Sequence, residues 1–272
     1  MFRSDLHVHT SRDHGRHSAR EMADQATRQG LQTLGLVGHA AMQFPCSYAM
    51  TAENEAAFVA ETQQLKNEYD GRLTILRGIE LDYYFLPPVH SYDYRLGSVH
   101  YVKHDGAILS VDSDPVELSR AVQQHWGGDW LQLCRLYYET VAGLMDAAQP
   151  DIIAHFDLVT KFNEDDRLFS TADSRYRHAA LEALDTLLAA EPFFEINTGA
   201  ISRGCRITPY PAPFILRHIQ QRGGRIILSS DAHDAAHLLY SFEDAAMLAQ
   251  SCGFRAVWTR SPEGFREIPL TK

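Results

Sequence analysis

Strand and helix signals alternate along almost the whole chain, and no long linker or internal repeat interrupts them. The first predicted strand ends at His9, and the others cover 34–38, 73–80, 94–101, 151–155, 193–197, 225–229 and 256–259. The helices between them are predicted at 18–30, 53–69, 115–125, 130–148, 173–190, 212–222 and 242–252. This alternation indicates an α/β fold with a parallel sheet covered by helices, and seven or eight βα units favour a closed or nearly closed barrel.

The length and composition are those expected for one barrel domain spanning residues 1–272. Apolar residues make up 45% of the chain and charged residues 22%, which predicts a substantial core. No stretch approaches the roughly 18 apolar residues of a membrane span, and the first residues run directly into a strand without a signal segment. We therefore expect no membrane partner.

Charge and cysteine usage narrow the class of partner. The net charge of −10 opposes a nucleic-acid partner, because phosphate backbones are bound by basic surfaces. Cys46, Cys134, Cys205 and Cys252 show no close pairing, which favours reduced thiols and a cytoplasmic location. Of the possible classes of partner, small soluble substrates remain.

Seven histidines and two carboxylates lie at the predicted strand ends or in the loop after the first strand. They are His7, His9, His14, His39, Glu80, His100, His155, Asp231 and His233. In an α/β barrel the C-terminal strand ends all meet at one mouth, where catalytic residues collect. Imidazoles and carboxylates together are typical metal ligands. The sequence therefore predicts a metal site at that mouth.

Each of these signals is weak when taken alone. The pair His7 and His9 would share one face of a strand, with Val8 turned into the packing behind, but such a pair is often simply exposed. Glu80 could lie in solvent, and Gly78 just before it would allow close backbone approach around the site. The joint placement decides, because half of the 14 histidines would fall on one rim.

The ordered motifs HVHT, GHA, GIE, GSVH, AHFD and SDAH resemble those of the polymerase-and-histidinol-phosphatase (PHP) superfamily. The stretches YDYRLGSVHYV, PDIIAHFDLVTKFN and FEINTGA resemble more closely its histidinol-phosphate phosphatase branch. The match runs from His7 to about residue 250. The resemblance implies a distorted (β/α)7 TIM-like barrel of PHP type that binds up to three divalent metal ions. Zn, Fe and Mn all suit such ligands, and the residues do not choose among them.

The resemblance also implies how the ligands divide. His7, His9, Glu80 and Asp231 would hold the first metal, Glu80, His100 and His155 the second, and His14, His39 and His233 the third. Glu80 would thus bridge two ions. The chain departs from the family at Gly38, where an acidic residue usually precedes the third-metal histidine, so an outer partner of His39 is missing from the sequence pattern.

The chemistry implied is hydrolysis of a phosphate monoester, with a metal-bridging hydroxide as nucleophile. Two ligand carboxylates would leave three divalent ions with a large excess of positive charge, which attracts a phosphate dianion. Arg203 and Lys161 would bind the phosphate, although a surface arginine and a structural lysine are open alternatives. Asp231 or His233 would supply the leaving group's proton through water.

The branch resemblance implies L-histidinol phosphate as substrate, with L-histidinol and phosphate as products, a step in histidine biosynthesis. The aromatic loop from Asp82 to Tyr94 would wall the site, and Asp82 or Asp93 would meet the substrate's ammonium. The alternatives are another small phosphate ester, a metal-dependent amidohydrolase or a non-catalytic metal-binding protein. The dense histidines oppose the amidohydrolase, and the net charge opposes a nuclease.

Overall fold

The computed structural model describes residues 2–270. Its strands are β1 (Ser4–Val8), β2 (Thr33–Leu36), β3 (Thr74–Asp82), β4 (Tyr94–Ser98), β5 (Tyr101–His104), β6 (Ala107–Ser110), β7 (Ile152–Ile153), β8 (Phe193–Asn197), β9 (Arg225–Ser229), β10 (Ala256–Ser261) and β11 (Gly264–Pro269). Its helices are α1 (Ala19–Arg28), α2 (Ala52–Glu68), α3 (Pro115–Trp126), α4 (Trp130–Ala142), α5 (Leu144–Ala147), α6 (Ser174–Leu188), α7 (Gly199–Ser202), α8 (Pro213–Gln221) and α9 (Phe242–Ser251).

Seven parallel strands form the wall of a distorted barrel. Their order is β1-β2-β3-β4-β7-β8-β9, and every neighbouring pair is parallel. The wall closes between β1 and the chain just after β9, where His9 N donates to Ala232 O at 2.9 Å and Ala232 N donates to His7 O at 3.2 Å. Strand β10 extends the sheet from β9 and forms a hairpin with β11. The expected barrel of seven βα units is confirmed.

Local sequence signals set the ends of the helices that position the rim. At α1, Ser18 and Glu21 form a capping box in which each side chain accepts the other's backbone N–H. At α3, Asp114 caps the first turn, Pro115 opens the helix, and Gly127 ends it with φ +57°. These helices begin and end within two residues of their predicted bounds.

The strand and helix prediction missed α7 and β11, and it was wrong at two further places. The hairpin β5–β6 stands where a direct passage from strand to helix was expected, although Asp105-Gly106, both with positive φ, is a strong hairpin turn signal. The helix predicted at 130–148 breaks at Gly143 into α4 and α5. Tyr83 packs there so closely that a Cβ on Gly143 would lie 2.8 Å from its ring.

Gly78 serves the barrel interior and not the site, which corrects the sequence interpretation. A Cβ at this position would lie 2.5 Å from Cζ of Tyr94, whose side chain is fully buried. The Tyr94 hydroxyl donates to Leu6 O at 2.7 Å. Because β4 and β1 are not neighbours in the sheet, this side chain spans the barrel interior.

No helix within residues 2–270 is both long and apolar enough to cross a membrane. All four cysteines are free thiols, and Cys134 and Cys252 are buried. The predicted absence of disulfides is therefore confirmed.

Replacing Gly78 with alanine is expected to destabilise the fold by about 1–3 kcal/mol, because the added methyl group overpacks against the Tyr94 ring. Denaturant unfolding of Gly78→Ala, Tyr94→Leu and the double variant measures the coupling. The double variant should lose less stability than the sum of the single losses, since the truncated side chain frees the space. Strict additivity of the two losses would contradict this packing.

Candidate metal centre and cavity

All nine expected ligands converge at one end of the barrel, around a cavity of about 230 Å³. Seven of them line it directly: His14, His39, Glu80, His100, His155, Asp231 and His233. His7 and His9 lie just behind, fully buried against Glu80. Val8 between them packs into the apolar cluster formed with α1 and α2. The alternation along β1 thus turns the two imidazoles towards the cavity floor.

The first expected group is compact enough to hold one ion. His7 Nε2 lies 3.0 Å from His9 Nε2, 3.1 Å from Glu80 Oε2 and 3.7 Å from Asp231 Oδ1. His9 Nε2 lies 3.4 Å from Glu80 Oε2 and 3.5 Å from Asp231 Oδ1. Ligands about 2.0–2.1 Å from a tetrahedral ion are roughly 3.3–3.4 Å apart. The donor atoms of His7, His9 and Glu80 therefore lie close enough to share one divalent cation, and Asp231 Oδ1 lies beside both imidazoles.

The second oxygen of Glu80 faces a different pair of imidazoles. Glu80 Oε1 lies 3.1 Å from His155 Nε2 and 3.7 Å from His100 Nε2. One carboxylate thus presents one oxygen to each of two imidazole groups. This arrangement fits a ligand shared between two ions.

The third expected group lies nearest the mouth. His14 Nε2 and His233 Nε2 are 2.7 Å apart, and the His39 ring centroid lies 5.0 Å from that of His14. His39 Nδ1 also lies 3.2 Å from Glu80 Oε2. His39 therefore stands between the shared carboxylate and the outer pair.

Three buried carboxylates that the sequence analysis did not single out as ligand partners stand behind the imidazoles. Glu195 Oε1 lies 2.6 Å from His7 Nδ1, and Asp13 Oδ2 lies 2.6 Å from His9 Nδ1. Asp82 Oδ2 accepts the backbone N–H of His100 at 2.7 Å. Such outer partners fix the tautomer and orientation of metal-binding histidines. The polar residues Glu195 and Asn197 stand at the end of an otherwise apolar strand, β8, which is buried throughout. Polar residues in such a strand were the sequence signal that could have identified Glu195.

These outer carboxylates also correct the expected charge balance. The sequence analysis counted only Glu80 and Asp231, which left three divalent ions with a large positive excess. Asp13, Asp82 and Glu195 bring three more carboxylates within hydrogen-bonding reach of the ligands. The excess is therefore much smaller, because these three residues supply negative charge that the ligand motifs do not include.

Ionisation in the cluster follows from burial and mutual attraction. Burial alone would raise the pKa of Glu80, but the imidazoles of His39 and His7 hold it well below its usual value. Burial likewise opposes the ionised form of Asp231, and Arg203 outweighs it. The pKa of His9 rises to about 9, because Asp13 outweighs the effect of burial. In the metal-free chain a proton therefore occupies this imidazole, which a metal must displace.

The expected phosphate-binding residues both line the cavity. Arg203 donates to Asp231 O and Oδ2, each at 3.0 Å, and lies 3.2 Å from His233 Nδ1. Gly199 makes room for this pair, since a Cβ there would lie 2.8 Å from Asp231 Cβ and 2.9 Å from Arg203 Nη2. Arg203 therefore forms an ion pair with Asp231 and also lines the cavity as a cation.

Lys161 also combines a structural contact with a place at the cavity. Its Nζ donates to Asp112 O at 2.7 Å and lies 3.2 Å from Asp112 Oδ2. Asp112 and Tyr48 were not singled out from the sequence, yet both line the cavity. The Tyr48 hydroxyl is buried and has no hydrogen-bond partner among the described residues. Asp112 and Tyr48 lie in loops that match none of the motifs, so sequence reasoning could not identify them.

The aromatic loop from 82 to 94 does not supply the acidic groups expected for the substrate. Asp82 already accepts a hydrogen bond from the backbone N–H of His100. Asp93 accepts from Lys66 Nζ and from Arg77 N, each at 2.6 Å, and does not line the cavity. Tyr92 donates to Glu55 at 2.7 Å. The loop is therefore tied to the body of the protein, and neither Asp82 nor Asp93 is placed to meet the ammonium.

A side chain at position 38 would meet the flexible side chain of Met50. A Cβ on Gly38 would lie 2.6 Å from Sδ and 2.8 Å from Cε of Met50. Met50 is buried and occupies the volume beside the backbone of His39. Where the resemblance implies an acidic side chain, the buried apolar side chain of Met50 occupies the space.

Comparison with known proteins gives a consistent result. The family model described as PHP domain matches residues 5–199. A relative from Deinococcus radiodurans named "Probable histidinol-phosphatase" is 30% identical over 267 residues, covering 94% of this chain and 96% of the relative. The Bacillus subtilis protein named "Histidinol-phosphatase" is 24% identical, with 89% of this chain and 98% of the relative covered.

A solved structure shares the fold over nearly its full length. The histidinol phosphate phosphatase from Lactococcus lactis, crystallised with zinc, L-histidinol and phosphate, superposes with a TM-score of 0.73 at 19% identity. The match covers 97% of this chain and 98% of that one. With its motifs, its seven-stranded barrel and a family match over most of its length, the chain belongs to the PHP domain family.

Proposed function

We propose that this chain is a metal-dependent phosphatase that hydrolyses L-histidinol phosphate to L-histidinol and phosphate. The observation that carries the proposal is the position of Glu80, which presents one oxygen to each of two imidazole groups beside a cavity lined by Arg203 and Lys161. The names of the curated relatives support the substrate.

The donor set fits divalent metals. His7, His9, Glu80 and Asp231 would hold one ion, Glu80, His100 and His155 a second, and His14, His39 and His233 a third. Zn, Fe and Mn all accept such mixed nitrogen and oxygen ligation. When bound, the ions would polarise the phosphate and make a nucleophile available at neutral pH.

The chain's own residues orient the phosphate. Arg203 is held by Asp231 with its guanidinium at the cavity, and Lys161 places a second cation there. Burial raises the pKa of Tyr48 and keeps its proton in place, so its hydroxyl would donate to a phosphate oxygen in the cavity. Three donors from three separate loops thus surround the space where a phosphate would lie.

Neither residue expected to supply the leaving group's proton is in its acidic form at neutral pH. The ion pair with Arg203 keeps the pKa of Asp231 well below its usual value, against the effect of burial. Burial, followed by the repulsion of His9, lowers the pKa of His233 well below its usual value. We therefore assign that proton to water in the cavity, with Asp231 and His233 orienting it.

The ammonium of the substrate requires a carboxylate outside the ligand set. Asp112 lines the cavity and carries an ionised carboxylate, which burial opposes and His100 and Lys161 favour. We assign Asp112 the role that the sequence analysis gave to Asp82 or Asp93. The pair of Lys161 and Asp112 would then match a substrate that carries a phosphate and an ammonium.

We also propose that residues 1–272 act as one catalytic domain in the reducing cytoplasm, without a nucleic-acid partner. The four free thiols support that location. The net charge of −10 disfavours contact with a phosphate backbone.

Metal removal tests the proposed activity. Exhaustive chelation should abolish phosphate release from L-histidinol phosphate, and adding Zn, Fe or Mn should restore it. The reloaded enzyme should prefer this substrate over an aryl phosphate by about a hundredfold in kcat/KM, near 2.7 kcal/mol of differential transition-state binding. Full activity without metal would refute the metal requirement, and a flat profile would leave only a general phosphatase.

Glu80→Ala should lose more bound metal than His39→Ala, because Glu80 faces two imidazole groups and the His39 ring reaches the outer pair. Elemental analysis gives metal per chain, and the same samples give turnover. Glu80→Gln is the matched control, since it keeps the shape but loses the charge. If Glu80→Ala retains as much metal as the parent, the shared role is wrong.

Asp112→Asn should lower kcat/KM for L-histidinol phosphate at least tenfold, about 1.4 kcal/mol, while an aryl phosphate without an ammonium is much less affected. The physical reason is the lost attraction between the carboxylate and the substrate's cation. Steady-state kinetics on both substrates provides the comparison. Equal losses on both would show that Asp112 serves only to hold Lys161.

A further inference from the structure

Asp13 makes an unusual number of contacts for a residue in the loop after β1. Its side chain is fully buried. One oxygen, Oδ2, lies 2.6 Å from His9 Nδ1 and accepts the backbone N–H of His39 at 3.2 Å. The other, Oδ1, accepts the backbone N–H of His14 at 2.8 Å and of Gly15 at 3.4 Å. A single carboxylate therefore touches three expected metal ligands.

We propose that Asp13 is a positioning residue that links two metal groups, holding His9 of the first group together with His14 and His39 of the third. The inference rests on the proposed metal-dependent function. It assigns to the chain an outer carboxylate that the quoted motifs do not contain.

The contact with His9 decides which ring nitrogen can bind a metal. An ionised carboxylate only accepts hydrogen bonds, so His9 Nδ1 must carry the proton that it donates to Asp13. The lone pair then lies on Nε2, which faces Glu80 and Asp231 at 3.4 and 3.5 Å. Asp13 thus selects the tautomer that can act as a ligand.

The contact with His39 gives its backbone N–H an acceptor that position 38 does not provide. Gly38 has no side chain, and Met50 fills the space that one would need. The N–H of His39 bonds instead to a carboxylate 26 positions earlier in the chain. This contact joins the rim after β2 to the loop after β1.

The loop that carries Asp13 is tightly folded and holds the carboxylate in place. Asp13 N and Gly15 N both donate to Thr10 O, at 3.2 and 2.8 Å. A Cβ on Gly15 would lie 2.7 Å from the backbone of Thr10. The loop therefore needs glycine at this position, and its geometry sets where the Asp13 carboxylate lies.

Asp13→Asn tests the inference, because an amide has one oxygen and cannot accept on both sides. The matched control is Glu55→Gln, which removes charge from another buried carboxylate, one that accepts from Tyr92 outside the cavity. Zinc affinity is measured by competition with a chelator of known affinity. Melting temperatures of the metal-free proteins report on folding.

We expect Asp13→Asn to bind zinc about ten- to a hundredfold more weakly than the parent, with Glu55→Gln unchanged. The metal-free Asp13→Asn variant should melt below the parent, because the buried pair with His9 is lost, but should still unfold in one cooperative transition well above the assay temperature. Zinc binding equal to that of the parent would overturn the inference. So would a loss of metal accompanied by collapse of the metal-free melting temperature, since that marks a structural role.

A second measurement uses the parent protein alone. In the zinc-loaded parent, the imidazole ¹⁵N shifts of His9 should show a protonated Nδ1 and an unprotonated Nε2. The opposite tautomer would overturn the inference while leaving the metal function intact. A parent that binds no zinc, iron or manganese would overturn the proposed function and the inference with it.

Discussion

The rest of the site depends on one buried charge, the carboxylate of Glu80. Its side chain is 1% exposed, so its ionised form survives only because imidazoles from several strands surround it. An isolated carboxylate in this position would take up a proton. Six different strands, or the residues just after them, place a histidine or carboxylate in this same volume. The closure between β1 and the segment after β9 also brings the expected ligands of these two segments together.

A second layer of carboxylates orients the histidines that surround Glu80. Glu195 and Asp13 contact the Nδ1 atoms of His7 and His9, which leaves both Nε2 atoms facing the shared carboxylate. Glu195 also accepts the N–H of His155 at 3.1 Å, so it joins the first and second groups as Asp13 joins the first and third. Beneath this polar shell, Tyr94 fills the barrel interior at the place where Gly78 leaves room. The apolar packing below holds the strands in register, and the polar shell above directs their terminal side chains.

The cavity carries less net positive charge than the expected metal ions and its two cations alone would give it. Cations from Arg203 and Lys161 are each paired, with Asp231 and Asp112 respectively. Such pairing lowers the affinity for free anions but favours a substrate that carries both signs of charge. The acidic residues of the aromatic loop, which seemed suited to this task, are already engaged by His100, Lys66 and Arg77. In the proposed function, specificity would therefore depend on the short segment after β6 that carries Asp112.

The sequence by itself determined the alternation of strands and helices, the helix caps and the set of nine candidate ligands, because each depends on local periodicity or on the strand end where a residue stands. The roles of those ligands stay a prediction until metal binding is measured. Only the tertiary structure decided which oxygen of Glu80 faces which imidazoles, that Gly78 serves Tyr94, and that Asp13 reaches the backbone of His39. These contacts join residues separated by long stretches of chain, and hydrogen-bond geometry between such residues arises only when the barrel closes.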